Sequence, residues 1–124
     1  MSRLAESGND CPVIMLNQNT YTAEAGYPDG DLYRQYLSGL ESLVERLGGA
    51  ILWRQPVLGQ PVGEVRRCDE ILAIRFPSHR AYLDLPSAQG GAENYRLRAL
   101  CVESAHIYRC PSGESSADGA VTCR

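Results

Sequence analysis

Apolar residues change their spacing several times along this chain, and each change predicts an element. Residues 12–17 (PVIMLN) form a short apolar run suited to a buried strand, and residues 20–30, rich in Gly, Pro and Asp, predict a long loop. From Asp31 the positions Tyr33, Leu37, Leu40, Val44 and Leu47 recur every three or four residues, so one stripe of a helix is apolar; Gly48 and Gly49 stop it. Residues 50–58 (AILWRQPVL) predict a second strand, 59–67 a connecting loop, and 69–76 (DEILAIRF) a third strand ended by Pro77. Ser78 is placed to cap a short helix running to Leu85. Pro86 and the pair Gly90 and Gly91 break the helical region, and a second piece over 92–103 puts Tyr95, Ala99 and Val102 on one side. Residues 105–109 close the domain as a fourth strand.

The order β-α-β-β-α-β is the split βαβ pattern, so the expected fold is α+β and ferredoxin-like, with a four-stranded antiparallel sheet over residues 12–110. Residues 1–11 and 111–124, rich in Ser, Gly, Asp and Glu, are expected to be flexible tails. Two helices cover one face of such a sheet. The other face needs a cover too, and a second copy of the chain, giving a homodimer, is the simplest. Pairing of the first strand with the fourth is expected to bring Cys11 near Cys110.

Composition narrows the chemistry. The 124 residues suit one domain with a real core, and 44% apolar with 22% charged residues is ordinary for a globular chain. A net charge of −3 with scattered basic residues disfavours nucleic acid and anionic membrane as partners. All twelve basic residues are arginine, which removes lysine Schiff bases and lysine-anchored pyridoxal phosphate. No apolar run is long enough for a secretory signal or a membrane span, so a cytoplasmic protein is expected. Five cysteines with no CxxC pair predict free thiols. Two histidines without clustered ligands predict no metal and no cofactor.

Strand alternation sorts the candidate site residues. Leu72, Ile74 and Phe76 share the face expected under the helices, and Asp69, Ile71, Ala73 and Arg75 share the other. If Val13, Met15 and Asn17, and likewise Ile51, Trp53 and Gln55, lie on that second face, it gathers Asn17, Trp53, Asp69 and Arg75 around apolar walls. Such a hollow suits a small molecule. Arg75 and Asn17 would steady an oxyanion, and Trp53 would stack on a planar ring. His106 is the candidate general acid or base, with Tyr108 beside it on the same face; His79, at a helix start, is expected in solvent. Tyr21 and Tyr27, in a loop made mobile by Ala23, Ala25 and Gly26, are candidate lid residues that touch the ligand.

Taken together, VIMLN (13–17), LGGAILWR (47–54) and DEILAIRFPSHRAYLDL (69–85) resemble the family called domain of unknown function 1330. The chain departs from that pattern at Cys68, where Trp is usual, at residues 87–91, and at Leu97, which precedes Arg98 where a His-Arg pair is common. The resemblance covers about residues 12–110 and implies a dimeric α/β barrel. Relatives in the wider superfamily include cofactor-free monooxygenases, polyketide cyclases and lactone isomerases. The expected function is therefore a cofactor-independent enzyme acting on a planar, partly apolar carbonyl compound, or else a homodimer that binds such a compound without transforming it.

Overall fold

The four strands and three helices that these patterns predict, with a further short helix at residues 2–6, make up a computed structural model that describes residues 1–116, 118, 119 and 123. In chain order they are α1 (Ser2–Glu6), β1 (Val13–Tyr21), α2 (Asp31–Arg46), β2 (Ala50–Pro56), β3 (Glu70–Phe76), α3 (His79–Leu83), α4 (Gly91–Cys101) and β4 (Val102–Pro111). The sheet is antiparallel throughout, in the order β2-β3-β1-β4. That is the α+β, ferredoxin-like arrangement the sequence predicts.

The core lies between the sheet and the helices. Val13 and Met15 of β1 and Leu72, Ile74 and Phe76 of β3 meet Leu37, Leu40, Leu43 and Val44 of α2, with Leu97 and Cys101 of α4 beside them. Each such side chain, fully buried, contributes about 1.5–3 kcal/mol. Gly49 ends the turn from α2 into β2 and has no room for more than hydrogen, since a Cβ there would stand 2.3 Å from the carbonyl oxygen of Arg75. The apolar stripe of α4 is rotated from the expected one. Asn94, Leu97 and Cys101 face inward and Tyr95 is exposed, because α4 docks on α2 through a polar contact the apolar count missed.

β1 runs to Tyr21, past the end expected for it, and β4 begins directly at the end of α4. The segments expected as tails carry contacts. Residues 2–6 are helical, and Asp10 accepts hydrogen bonds from the backbone N–H of His79 (2.8 Å) and Arg80 (3.0 Å) at the start of α3. Burial opposes the charge on Asp10, but these amides and the His79 ring bring its pKa below the ordinary carboxylate value. Within 111–124, residues 117, 120–122 and 124 lie outside the described residues.

The expectation of five free thiols needs correction. Cys11 is bonded to Cys123, with 5.8 Å between their Cα atoms, while Cys68, Cys101 and Cys110 are free thiols. Cys11 and Cys110 border the same small pocket, as expected, Cys110 being paired with Ile14, and Cys123 also lines it.

Candidate functional site

Strand register separates the residues that the sequence reading brought together. Asn17 stands opposite Leu72 and Ile107, whereas Arg75 stands opposite Ile14. Directly paired residues point to the same side of a sheet, so Asn17 faces the helices and Arg75 faces away. On opposite faces, the two cannot line one hollow in the protomer. Asn17 follows the phase of Val13 and Met15, which are packed under the helices. Arg75 is instead held by Glu114, its Nε and Nη2 donating to the two carboxylate oxygens at 2.9 and 3.0 Å.

A bulge corrects the second strand. Ile51 pairs with Ile74 but Trp53 pairs with Ala73, so one residue is inserted between them and the alternation flips. Ile51 lies under the helices and Trp53 on the open face. His106 and Tyr108, opposite Gln18 and Leu16, share that open face with Trp53 and Arg75, and both are exposed. Asp69 is spent on structure, accepting from the backbone N–H of Tyr21 at 2.8 Å and from Arg67 at 3.3 Å. His79, expected in solvent, is 2% exposed, with Nδ1 3.0 Å from Asp10 Oδ1.

The bulge also turns Arg54 toward the helices, where it meets a buried polar cluster. Glu70 is 1% exposed. One carboxylate oxygen accepts from the Tyr21 hydroxyl at 2.5 Å, both are 2.9 Å from the Tyr33 hydroxyl, and Arg54 Nη1 lies 3.4 Å away. Tyr27 stacks on Tyr21 and meets Tyr33 edge-on, each at 4.9 Å between ring centres. Tyr21 and Tyr27 therefore close this cluster, and they also border a shallow pocket with Arg67 and Asp69.

A cavity that takes in Asn17 lies on the helix side of the sheet. It measures about 240 Å³. Met15, Leu40, Ile74, Phe76 and Leu85 supply apolar wall, and Asn17, Tyr36, Asn94 and Arg98 supply polar groups, with Tyr82, Tyr95 and Ile107 at its edges. The ring of Tyr82 stands edge-on to Phe76, 5.3 Å between centres. Asn94 donates to the Tyr36 carbonyl at 3.1 Å across the α2–α4 contact, which Gly39 permits: a Cβ at that position would lie 3.0 Å from the Asn94 amide nitrogen. Asn17 donates one amide hydrogen to the Met15 carbonyl at 3.1 Å and keeps a second. Of these polar groups, the sequence reading named Asn17 alone. Asn94 was detectable as a polar residue in phase with Leu97 and Cys101, and Arg98 sits one turn beyond it.

Burial raises the Tyr36 phenol to about 12, with the Arg98 guanidinium acting in the opposite direction. Tyr21 and Tyr33 are raised as well, by burial first and then by hydrogen bonds to Glu70. Unfolded tyrosines ionise near pH 10, so the unfolded chain loses these protons before the folded one does. The stability this contributes is whole below pH 10 and is lost as pH rises through about 12. The urea midpoint should be level up to about pH 9 and fall between about pH 10 and 12, less steeply in Tyr36→Phe. A midpoint equally steep in that variant would contradict the burial of this phenol.

No family model matches the chain, and no curated protein matches it. Solved structures do. A protein of unknown function from Rhodopseudomonas palustris is 24% identical over 87% of each chain, with a TM-score of 0.71. A dabb-family protein with a ferredoxin-like fold from Mesorhizobium loti is 10% identical, over 80% of this chain and 94% of its own, with a TM-score of 0.57. A protein from Arabidopsis thaliana is 10% identical, over 84% and 98%, also at 0.57. These likenesses establish the ferredoxin-like fold. No helix among the described residues is long and apolar enough to cross a membrane.

Proposed function

We propose that the chain is a cofactor-independent enzyme of the domain of unknown function 1330 type, which takes a planar, partly apolar carbonyl compound into the cavity between sheet and helices. One observation carries this reading: an apolar cavity into which Asn17, Tyr36, Asn94 and Arg98 converge. Apolar walls with a few placed polar groups are the usual form of a small-molecule site. At neutral pH Tyr36 keeps its proton, and the Arg98 guanidinium hydrogen-bonds its hydroxyl, so the pair presents N–H and O–H donors at the cavity wall. Donors suit charge that develops on a carbonyl oxygen during enolisation, cyclisation, isomerisation or oxygenation. Asn17 keeps the oxyanion role expected for it, with Arg98 in place of Arg75.

The working unit in this proposal is a homodimer. Leu52, Trp53 and Tyr108 are each nearly half exposed, and Leu58, Val62 and Val65 in the loop after β2 are almost wholly so. A partner across the open face would cover the apolar side chains that a lone protomer leaves in water.

A second reading, binding without turnover, has one observation in its favour. Among the described residues, no Asp, Glu or His lines the cavity, so the protomer's lining supplies no carboxylate or imidazole as proton acceptor. Titration of monocyclic enones, lactones and enolisable ketones, followed by the side-chain amide signals of Asn17 and Asn94, tests the site. Binders should shift those signals, and Asn17→Ala should slow conversion of any compound turned over by about tenfold or more, in a particle that sediments as a dimer. Conversion unchanged in both Asn17→Ala and Tyr36→Phe would remove the enzymatic reading. Binders that leave the two amides unmoved would remove the site.

A further inference from the structure

We propose that the compound held in this cavity is a small planar carboxylic acid, its carboxylate on Arg98 and its ring against the corner made by Phe76 and Tyr82. This rests on the cavity being the ligand site and adds the chemical class of the ligand. Arg98 forms no ion pair among the described residues, whereas its neighbour on α4, Arg96, is taken by Glu93 at 2.6 and 2.8 Å. Among the described residues, the cavity wall holds no carboxylate to neutralise it. A half-buried guanidinium beside aromatic walls is poorly hydrated and pairs well with a planar carboxylate, two parallel N–H donors meeting two oxygens.

The remaining geometry limits what accompanies the acid. A volume of about 240 Å³ equals roughly eight water volumes, room for one ring with a short substituent. The edge-on pair of Phe76 and Tyr82 gives that ring a flat face to meet. Asn17, on the sheet, has an amide hydrogen and an oxygen for a second polar group on the ligand, while Asn94 is partly committed to Tyr36. A cationic ligand would meet Arg98 with no anion to offset the repulsion.

Benzoate and benzamide have the same shape and differ in charge, which makes them suitable probes. With the full chain, benzoate should bind at least about tenfold more tightly than benzamide and should shift the Asn17 and Asn94 side-chain amides. Arg98→Gln should abolish that preference, Arg98→Lys should keep part of it, and Arg96→Gln should leave it intact. The amide spectrum of each variant reports whether it is folded. Benzamide binding as tightly as benzoate at the same amides would overturn the acid proposal and leave the cavity reading standing. A preference that survives in Arg98→Gln would overturn Arg98 as the anchor. If both probes leave the amides unmoved, the acid proposal falls, and the fate of the cavity reading then rests on the neutral carbonyl titration described above.

Discussion

Replacing Glu70 with alanine should lower the free energy of unfolding by about 3–4 kcal/mol, although the residue lines no cavity. The carboxylate is the shared acceptor for Tyr21, Tyr33 and Arg54, and it ties the end of β1, the first turn of α2 and β2 to one point. Removing it strands two phenol hydroxyls inside the protein, each at a cost of about 1–3 kcal/mol. Arg54 adds little, since 45% of its side chain is exposed and solvent compensates its charge. Glu70→Gln keeps the shape and one acceptor and should lose about half as much. Tyr33→Phe removes one donor and leaves the carboxylate held by the others, so it should cost about 1–2 kcal/mol. Urea unfolding at one protein concentration measures all three. The order Ala, then Gln or Phe, is required. A Glu70→Ala midpoint equal to wild type would mean that water reaches the site and the cluster is not a dry anchor.

The sequence carried more of this cluster than its reading extracted. Glu70 continues the phase of Leu72, Ile74 and Phe76, so the alternation that placed those three under the helices also buried a carboxylate. A buried carboxylate requires donors, and Tyr33 belongs to the apolar stripe of α2 facing it. Tyr21 was legible as a tyrosine but not as part of β1, because the polar run Asn17–Gln18–Asn19–Thr20 hides the strand. The partners of that run explain its polarity: the buried Asn19 amide meets the Tyr21 hydroxyl at 3.3 Å, and Thr20 donates to the Arg67 carbonyl at 2.6 Å.

Face assignment failed where it depended on choosing a phase between strands. Leu72, Ile74 and Phe76 were assigned correctly because an aliphatic set leaves little choice. Asn17 joined Arg75 only on the condition that the two strands share a phase, and its companions Val13 and Met15, as apolar as that set, belong under the helices. The bulge at Leu52 is of another kind. No local residue pattern marks it, and its consequence, Arg54 brought to 3.4 Å from Glu70, joins residues sixteen positions apart. The cavity was illegible for a related reason. Tyr36, Asn94 and Arg98 come from two helices whose separation is set by Gly39 against Asn94, a close approach that appears only when the helices are packed.

Oxidised protein should unfold at a higher denaturant concentration than reduced protein, by a free energy of about 2–4 kcal/mol. The bond from Cys11 to Cys123 closes a loop of 112 residues, nearly the whole chain, so it restricts the unfolded state strongly. It acts in the folded state at a place that matters: Cys11 is buried, and its neighbour Asp10 holds the start of α3 through the amides of His79 and Arg80. Residual structure in the unfolded chain already limits its freedom, so the measured loss should fall below the full loop value of about 4.7 kcal/mol. Two measurements decide it. Thiol titration in denaturant without reductant should count three groups, Cys68, Cys101 and Cys110. Cys123→Ser should unfold like reduced wild type and should ignore added reductant. Five titratable thiols in protein purified without reductant would remove the bond. Three thiols with no shift in the midpoint on reduction would show that the bond forms yet restrains nothing that the folded sheet depends on.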